Sequence, residues 1–323
     1  MKKVFIGLLA AATGLVGCSA PEETVKSVTL NGAGATFPAP LYTAWFQKLA
    51  EGKEFLVNYQ AVGSGAGVRQ FNAGTTDFGA SDKAIPDKKI ERPVVQIPMT
   101  GGAIVPAYNL PGCQVAMTQT ELADVFLGKI TNWSEFGCKD KQIVVVYRSD
   151  GSGTTAGFTA SLSAFSPEWK DKVGAGKAVQ WPVGVGNKGN SGVAATISQQ
   201  EGAIGYLNYG YVNGGKFQQV ALENKAGNFV MADAETSAAG LSQIKLDDKL
   251  RGSDPNPAGE NAYPIVSLTW VLAHPENPQN ESMKEVFTYM LSDEAQSMAD
   301  GLGYVPLPKS IRDKALEVVT SLK

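Results

Sequence analysis

The chain has one histidine and three cysteines among 323 residues, only 18% of it is charged, and no apolar stretch reaches the length of a membrane-spanning helix. His274 stands alone and no Cys-x-x-Cys occurs, so neither a metal site nor a metal cofactor is expected. No block of Lys or Arg stands out, which argues against nucleic acid as a partner. The longest apolar run, Val4–Gly17, falls short of the ~20 residues a transmembrane helix needs.

Preceded by Met1-Lys2-Lys3, that run reads as an export signal. It ends in Leu15-Val16-Gly17-Cys18, which is similar to the bacterial lipoprotein processing site. On this reading residues 1–17 are removed before Cys18, whose acyl chains anchor an exported, periplasmic or cell-surface protein to a membrane. The alternative is an ordinary signal cut near Ala20, leaving Cys18 free. Taking two of the 28 basic residues away with the signal leaves 26 against 31 acidic ones, or about −5. Long-range attraction of an anion is therefore absent, and any anion site has to be local. Cys113 and Cys138 remain as a pair in an oxidising compartment, where a disulfide is expected; two buried thiols are the other reading.

What the chain has in quantity is turn residues, 36 Gly and 17 Pro, set between short apolar runs. Strands are predicted at Val28–Leu30, Phe55–Val62, Val94–Ile97, Ala103–Tyr108, Ile143–Tyr147 and Ile265–Leu272. The helix after Pro38 puts Leu41, Trp45 and Leu49 on one stripe, and a late helix does the same with Met283, Val286, Phe287, Met290 and Leu291. Strands alternating with helices over this length imply an α/β protein of two lobes. Crossings between the lobes are expected near Val105–Pro111 and within the polar stretch Leu246–Pro264. Trp133, Trp169, Trp181 and Trp270 read as core or lobe-interface residues.

One local design occurs three times: a strand ends, a Gly-rich turn follows, and Ser or Thr stands where a helix begins. The segments are Asn31-Gly32-Ala33-Gly34-Ala35-Thr36-Phe37-Pro38, Val62-Gly63-Ser64-Gly65-Ala66-Gly67-Val68 and Arg148-Ser149-Asp150-Gly151-Ser152-Gly153-Thr154-Thr155. Helix N-termini carry unpaired N–H groups and a positive dipole end, which suit an oxyanion that glycine lets approach closely. Singly, each segment is equally a plain helix cap. Arg148 would add a charged fork for two oxygens, with Asp150 placed to hold it. A carboxylate in Asp77-Phe78-Gly79-Ala80-Ser81-Asp82 looks wrong beside an anion unless the anion carries a proton. Monohydrogen phosphate can donate to Asp82, whereas sulfate cannot and would be repelled. The competing role for Asp82 is a helix cap before Ala84–Lys89.

With these segments the chain resembles the phosphate-binding protein family of the bacterial phosphate ABC importer. The resemblance runs from about Leu30 to Pro308. Its carriers are Gly32–Pro40, Asp77–Asp82, Arg148–Thr154 and Gly202-Ala203-Ile204-Gly205-Tyr206. It implies a type 2 periplasmic-binding-protein fold: two α/β lobes, each a mixed, mainly parallel sheet flanked by helices, closing around dehydrated phosphate. Residues 28–106 and 262–323 would form lobe 1 and residues 107–261 lobe 2. Thr36, Phe37 (through its backbone N–H) and Ser64 would donate to phosphate from lobe 1, with Asp82 accepting its proton. Arg148, Ser152, Gly153 and Thr154 would donate from lobe 2, and Asp150 would orient Arg148. The resemblance also implies delivery to permease subunits of an ABC importer by a monomer without cofactor. Ser64-Gly65-Ala66 departs from relatives that carry a second Ser after the first, and the Cys pair is no general family feature.

Other readings are weaker. Gly184-Val185-Gly186-Asn187-Lys188-Gly189 fits a dinucleotide fingerprint, but no acidic residue follows at the right distance. Asn190-Ser191 reads as a plain helix start. A phosphatase using Ser64, Ser152 or Thr154 lacks a general base, since His274 sits beside Pro275 after a strand. Another oxyanion, sulfate or arsenate, is the rival ligand; an adhesion or scaffold role has no positive feature.

Overall fold

The computed structural model describes residues 28–51, 55–215 and 217–323. The expected signal and the lipid site at Cys18 lie outside the described residues. Twelve strands are found among the described residues: β1 (Val28–Gly34), β2 (Phe55–Ala61), β3 (Phe78–Ser81), β4 (Val95–Tyr108), β5 (Ala116–Met117), β6 (Val144–Arg148), β7 (Val185–Asn187), β8 (Ala203–Asn208), β9 (Gln218–Gln219), β10 (Ala221–Glu223), β11 (Phe229–Val230) and β12 (Val266–Ala273).

Nine strands form one curled sheet in the order β2-β1-β3-β12-β4-β8-β6-β7, with β9 also on β4. The pairings at its two flanks, β2-β1-β3 and β8-β6-β7, are parallel. Around the central β12 and β4 they are antiparallel, so the sheet is mixed in each half. The small sheet β11-β10-β5 lies apart.

β4 is shared by the two halves. Val95–Ala103 pairs with β12, while Ile104–Tyr108 pairs with β8. The sequence predicts two strands here, Val94–Ile97 and Ala103–Tyr108; the structure has one strand of 14 residues, nearly all buried, that runs through the gap containing Gly101-Gly102. The glycines fit close packing, not a turn: a side chain at Gly101 would run into Leu241, and one at Gly102 would approach Asn208 and the Phe37 ring.

Helices follow the strands as the alternation predicts. α1 (Ala39–Ala50) buries Leu41, Tyr42, Trp45, Phe46 and Leu49 against the first half, and α2 (Ser64–Asn72) follows β2. α3 (Gln119–Leu127), α4 (Gly153–Phe165), α5 (Pro167–Lys172) and α6 (Gly189–Gln199) belong to the second half, α4 following β6 and α6 following β7. The short α7 (Tyr209–Val212) continues from β8, and α8 (Ala234–Leu241) packs on both β4 and β12. α9 (Asn280–Met290), α10 (Asp293–Gly301) and α11 (Lys309–Thr320) return to the first half, α9 burying Met283, Val286, Phe287 and Met290 as its stripe predicts.

Each half carries an aromatic core. Tyr42, Phe46, Tyr59 and Phe78 pack together in the first, and Phe126, Phe158, Trp181 and Tyr206 in the second. Trp133, Trp169 and Trp270 are buried, and Trp181 is half-buried at the edge of its cluster. Cys113 and Cys138 form a disulfide, Cα to Cα 5.8 Å, with 25 residues of sequence separation. It ties the segment after β4 to the turn after Trp133–Phe136.

Candidate functional site

The parallel strands β1, β2 and β3 run in the same direction and end side by side. At their C-terminal ends stand Thr36-Phe37, Ser64 and Asp82. β6 ends on Arg148, followed by the turn into α4, and β7 leads to Asn190 at the start of α6. Open α/β sheets bind ligands outside the C-terminal ends of their strands, because helix N-termini converge there. Both halves bring such ends to one place.

All eight residues expected to bind the ligand meet here. Thr36, Ser64, Asp82 and Arg148 are at most 4% exposed, and Phe37, Ser152 and Thr154 are fully buried. Gly153 lies so close to the opposite half that a Cβ on it would sit 2.6 Å from Asp82 Cβ and 2.7 Å from Ser64 Oγ. The halves also meet through Gly65 N–H, which donates to the Gly151 carbonyl at 2.7 Å.

The hydroxyls are arranged as donors. Thr36 Oγ1 accepts from Asn190 N at 3.1 Å and from Asn190 Nδ2 at 2.9 Å. Ser152 caps α4 by accepting from Thr155 N at 3.0 Å. Ser64 Oγ accepts from Asp82 N at 3.2 Å, and Thr154 Oγ1 accepts from Asn190 Nδ2 at 3.3 Å. A hydroxyl has one proton and two lone pairs, so a hydroxyl whose lone pairs are engaged keeps its proton for an acceptor. Two of these protons reach Asp82 Oδ2 over long distances, 3.5 Å from Ser64 and 3.4 Å from Thr154.

Of the three predicted helix starts, Ser152 is the one whose side chain caps. α1 begins after Pro38 and α2 after Gly63, both without a side-chain cap, so Thr36 and Ser64 are spent on the cleft instead. Gly63 has φ +92°, a conformation side chains rarely adopt, and a Cβ there would strike Asp150. Asp82 does not cap the turn at Asp87–Lys89, which starts from Pro86.

Asp150 takes Arg148 by Nε at 2.7 Å and by Nη2 at 2.6 Å, and also accepts from Gly189 N at 3.0 Å. Burial would raise the Asp150 carboxyl, but the hydrogen bonds and charge of Arg148 outweigh it and hold it below the usual range. Nη1 of Arg148 is buried without a hydrogen-bond partner. Asp82 is pushed up to about 6 by burial, against the opposing pull of the Thr269 hydroxyl at 2.9 Å and of the Arg148 and Lys177 charges.

Four contributors were not among the residues expected at the site. Asn190 was expected to be a plain helix start, yet it is fully buried and bonds across the cleft. Tyr211 donates to the Thr36 carbonyl at 2.6 Å. Lys177 reaches Ser81 Oγ at 3.0 Å, and burial lowers its ammonium to about 8. Thr269 is the exception that sequence could have flagged: Ser267 and Thr269 are polar residues two apart in an otherwise apolar strand, hence on one face.

Two α/β halves joined by a shared strand, with polar groups from both converging on buried donors, define a two-lobe binding protein. Residues 19–294 match the model of the PBP superfamily domain. The chain is 38% identical over 308 residues to a phosphate-binding protein PstS of Pasteurella multocida, covering 90% of each chain. It is 33% identical to the one from Methanocaldococcus jannaschii, over 98% of this chain and 94% of that one. The chain belongs to the PstS family of phosphate-binding proteins. Its fold is also that of a putative phosphate ABC transporter substrate-binding protein from Clostridium perfringens, at a TM-score of 0.69 and 20% identity over 87% of this chain and 100% of that one. A phosphate binding protein from Stenotrophomonas maltophilia gives 0.68 at 19% identity, over 90% and 93%.

Proposed function

We propose that the protein captures inorganic phosphate between its lobes and hands it to the permease subunits of an ABC-type importer. The observation that carries this reading is Arg148 Nη1: a buried, charged N–H edge without partner, on a guanidinium whose other edge is held by Asp150. A buried donor that is left unpaired is costly, and an oxyanion relieves that cost. Thr36, Phe37 N–H, Ser64, Arg148, Ser152, Gly153 N–H and Thr154 donate, and Asp82 accepts the single proton of monohydrogen phosphate.

Residues 28–106 and 262–323 act as one lobe and 107–261 as the other. The chain is exported, held to the membrane through lipidated Cys18, and works as a monomer. It performs no catalysis: the hydroxyls at the site take N–H bonds, and His274 Nδ1 is engaged with the backbone of Glu276 beyond the end of β12.

The test is calorimetric titration of the phosphate-stripped protein with phosphate, arsenate and sulfate, alongside thermal unfolding with each. A ligand bound only by the folded state raises its stability by RT ln(1 + [L]/Kd). Phosphate raising Tm well above sulfate supports the reading; equal effects of the two overturn the role of Asp82.

A further inference from the structure

Three hydrogen bonds from the second half of the molecule land on a single residue of the first. Asn190 N and Nδ2 donate to Thr36 Oγ1 at 3.1 and 2.9 Å, and Tyr211 Oη donates to the Thr36 carbonyl at 2.6 Å. Asn190 and Tyr211 are themselves connected. Asn190 Oδ1 accepts from Asn208 N at 3.1 Å, and Asn208 Oδ1 accepts from Gly210 N at 2.9 Å, which caps α7 and with it Tyr211. Asn208 Nδ2 continues to the carbonyl of Ala103 at 3.3 Å, the residue at which β4 passes from one half to the other. A hydrogen-bonded chain therefore runs from the shared strand to Thr36.

The neighbouring carbonyls show what is particular about this. Ala35, Thr36 and Phe37 each give their carbonyl oxygen to a tyrosine hydroxyl: Tyr59 at 2.7 Å, Tyr211 at 2.6 Å and Tyr304 at 2.7 Å. Tyr59 stands on β2 and Tyr304 behind α10, so both belong to the half that carries the turn and hold it whether the cleft is open or shut. Tyr211 and Asn190 reach the turn from elements of the second half, α7 and α6, so their bonds to Thr36 cross between the halves. The two N–H groups of Asn190 fill the Thr36 oxygen and leave its proton for an acceptor.

We infer that Asn190 and Tyr211 form a closure clasp on Thr36, which holds the lobes shut over the ligand and sets Thr36 as a donor only in the closed protein. The inference rests on the proposed binding of phosphate, which it deepens: the clasp acts on release more than on capture. Encounter occurs in the open protein, before the clasp bonds exist, whereas escape requires breaking them.

The test is stopped-flow measurement of phosphate association and dissociation for wild type, Tyr211→Phe, Asn190→Ala and Tyr304→Phe, with thermal unfolding of each in the phosphate-free state. Tyr211→Phe removes one oxygen and keeps the ring. It is expected to speed dissociation about tenfold with association changed less than about twofold, and Asn190→Ala to do so further. Tyr304→Phe removes an equivalent bond within one half, and its effect is expected to fall on thermal stability. If Tyr211→Phe and Tyr304→Phe change dissociation alike, or if association falls as much as dissociation rises, the clasp is wrong. Paired spin labels, one in each half, measure the interlobe distance. Their distance distribution gives the share of molecules closed as in this structure, with phosphate and without it. A smaller closed share in the Tyr211→Phe/Asn190→Ala double variant supports the clasp even should the wild type fail to bind phosphate, and an unchanged share under both conditions counts against it.

Discussion

Asp150 meets Arg148 with both carboxylate oxygens, Nε to Oδ1 at 2.7 Å and Nη2 to Oδ2 at 2.6 Å, so that of the guanidinium only Nη1 is left over. The pair is almost fully withdrawn from water, with the Arg148 side chain 1% exposed and that of Asp150 13%. Asp150 thus acts on a bound anion in two opposed ways. It fixes the fork that presents Nη1, and it cancels part of the charge that attracts the ligand.

These opposed effects predict that Asp150→Asn leaves phosphate affinity within about tenfold of wild type while costing stability. Asparagine keeps one acceptor oxygen but abandons a buried cation, a change that costs on the order of 3 kcal/mol. Arg148→Met should instead lower affinity by about a hundredfold or more, since it removes the charged donor and leaves Asp150 as an unpaired anion facing the ligand. Titration calorimetry and thermal unfolding separate the two outcomes. A hundredfold loss of affinity in Asp150→Asn at unchanged Tm would show that orientation outweighs charge.

Asp82 predicts a pH dependence of definite sign. Its carboxyl is raised to about 6 in the fold from an ordinary value near 3.8, chiefly by burial. Between those values the folded state holds a proton that the unfolded chain has released, so its contribution to stability falls as pH rises from about 4 to about 6 and stays low above. Two pKa units correspond to roughly 3 kcal/mol. Phosphate-free Asp82→Asn should therefore be more stable than wild type at pH 7.5 by up to about 3 kcal/mol, with the gap closing toward pH 4. The same variant should bind sulfate more tightly and phosphate less selectively. Urea unfolding at several pH values checks the first statement, and competitive titration the second; a gap independent of pH would mean that Asp82 is not the buried charge.

The residues proposed to bind phosphate could be picked from sequence because all but Asp82 stand in a short, local pattern, a strand end followed by Gly and Ser or Thr, and such patterns need no tertiary information. Arg148 and Asp150 lie two residues apart, so their pairing is also local. Asn190, Tyr211 and Lys177 were not legible, because their partners Thr36 and Ser81 are far away in sequence and meet them only when two halves fold and approach. β4 misled for a related reason. The stretch Pro98–Gly102 interrupts the apolar alternation, and only the packing of Leu241 from α8 reveals why Gly101, inside a continuous strand, lacks a side chain.

The disulfide should be structural. Cys113 and Cys138 close a loop across 25 residues, for which chain-entropy arguments give about 3 kcal/mol. Reduction, or Cys113→Ser/Cys138→Ser, should lower Tm by several degrees and leave phosphate affinity nearly unchanged, since the bridge lies away from the strand ends that carry the site. A free-thiol assay on the exported protein should detect neither cysteine. Reactive thiol at either position would refute the pairing, and a loss of affinity on reduction would tie the bridge to the cleft.

Gly153→Ala tests how tightly the lobes close. Within its own half the residue is the first of α4, where alanine is tolerated and more helix-favouring than glycine by up to ~1 kcal/mol. Across the cleft the added carbon would lie 2.6 Å from Asp82 Cβ, 2.7 Å from Ser64 Oγ and 2.8 Å from Asp82 N, all far inside contact distance. Two of those atoms belong to backbone or to the first carbon of a side chain, so neither can swing aside. The variant should fold with unchanged or higher stability in the absence of phosphate and lose affinity by about a hundredfold or more, because closure would stop short of bringing the donors of the two halves onto one anion. Calorimetric titration gives the affinity and thermal unfolding the stability. Retention of wild-type affinity would mean that the bound protein holds its lobes further apart than this structure does.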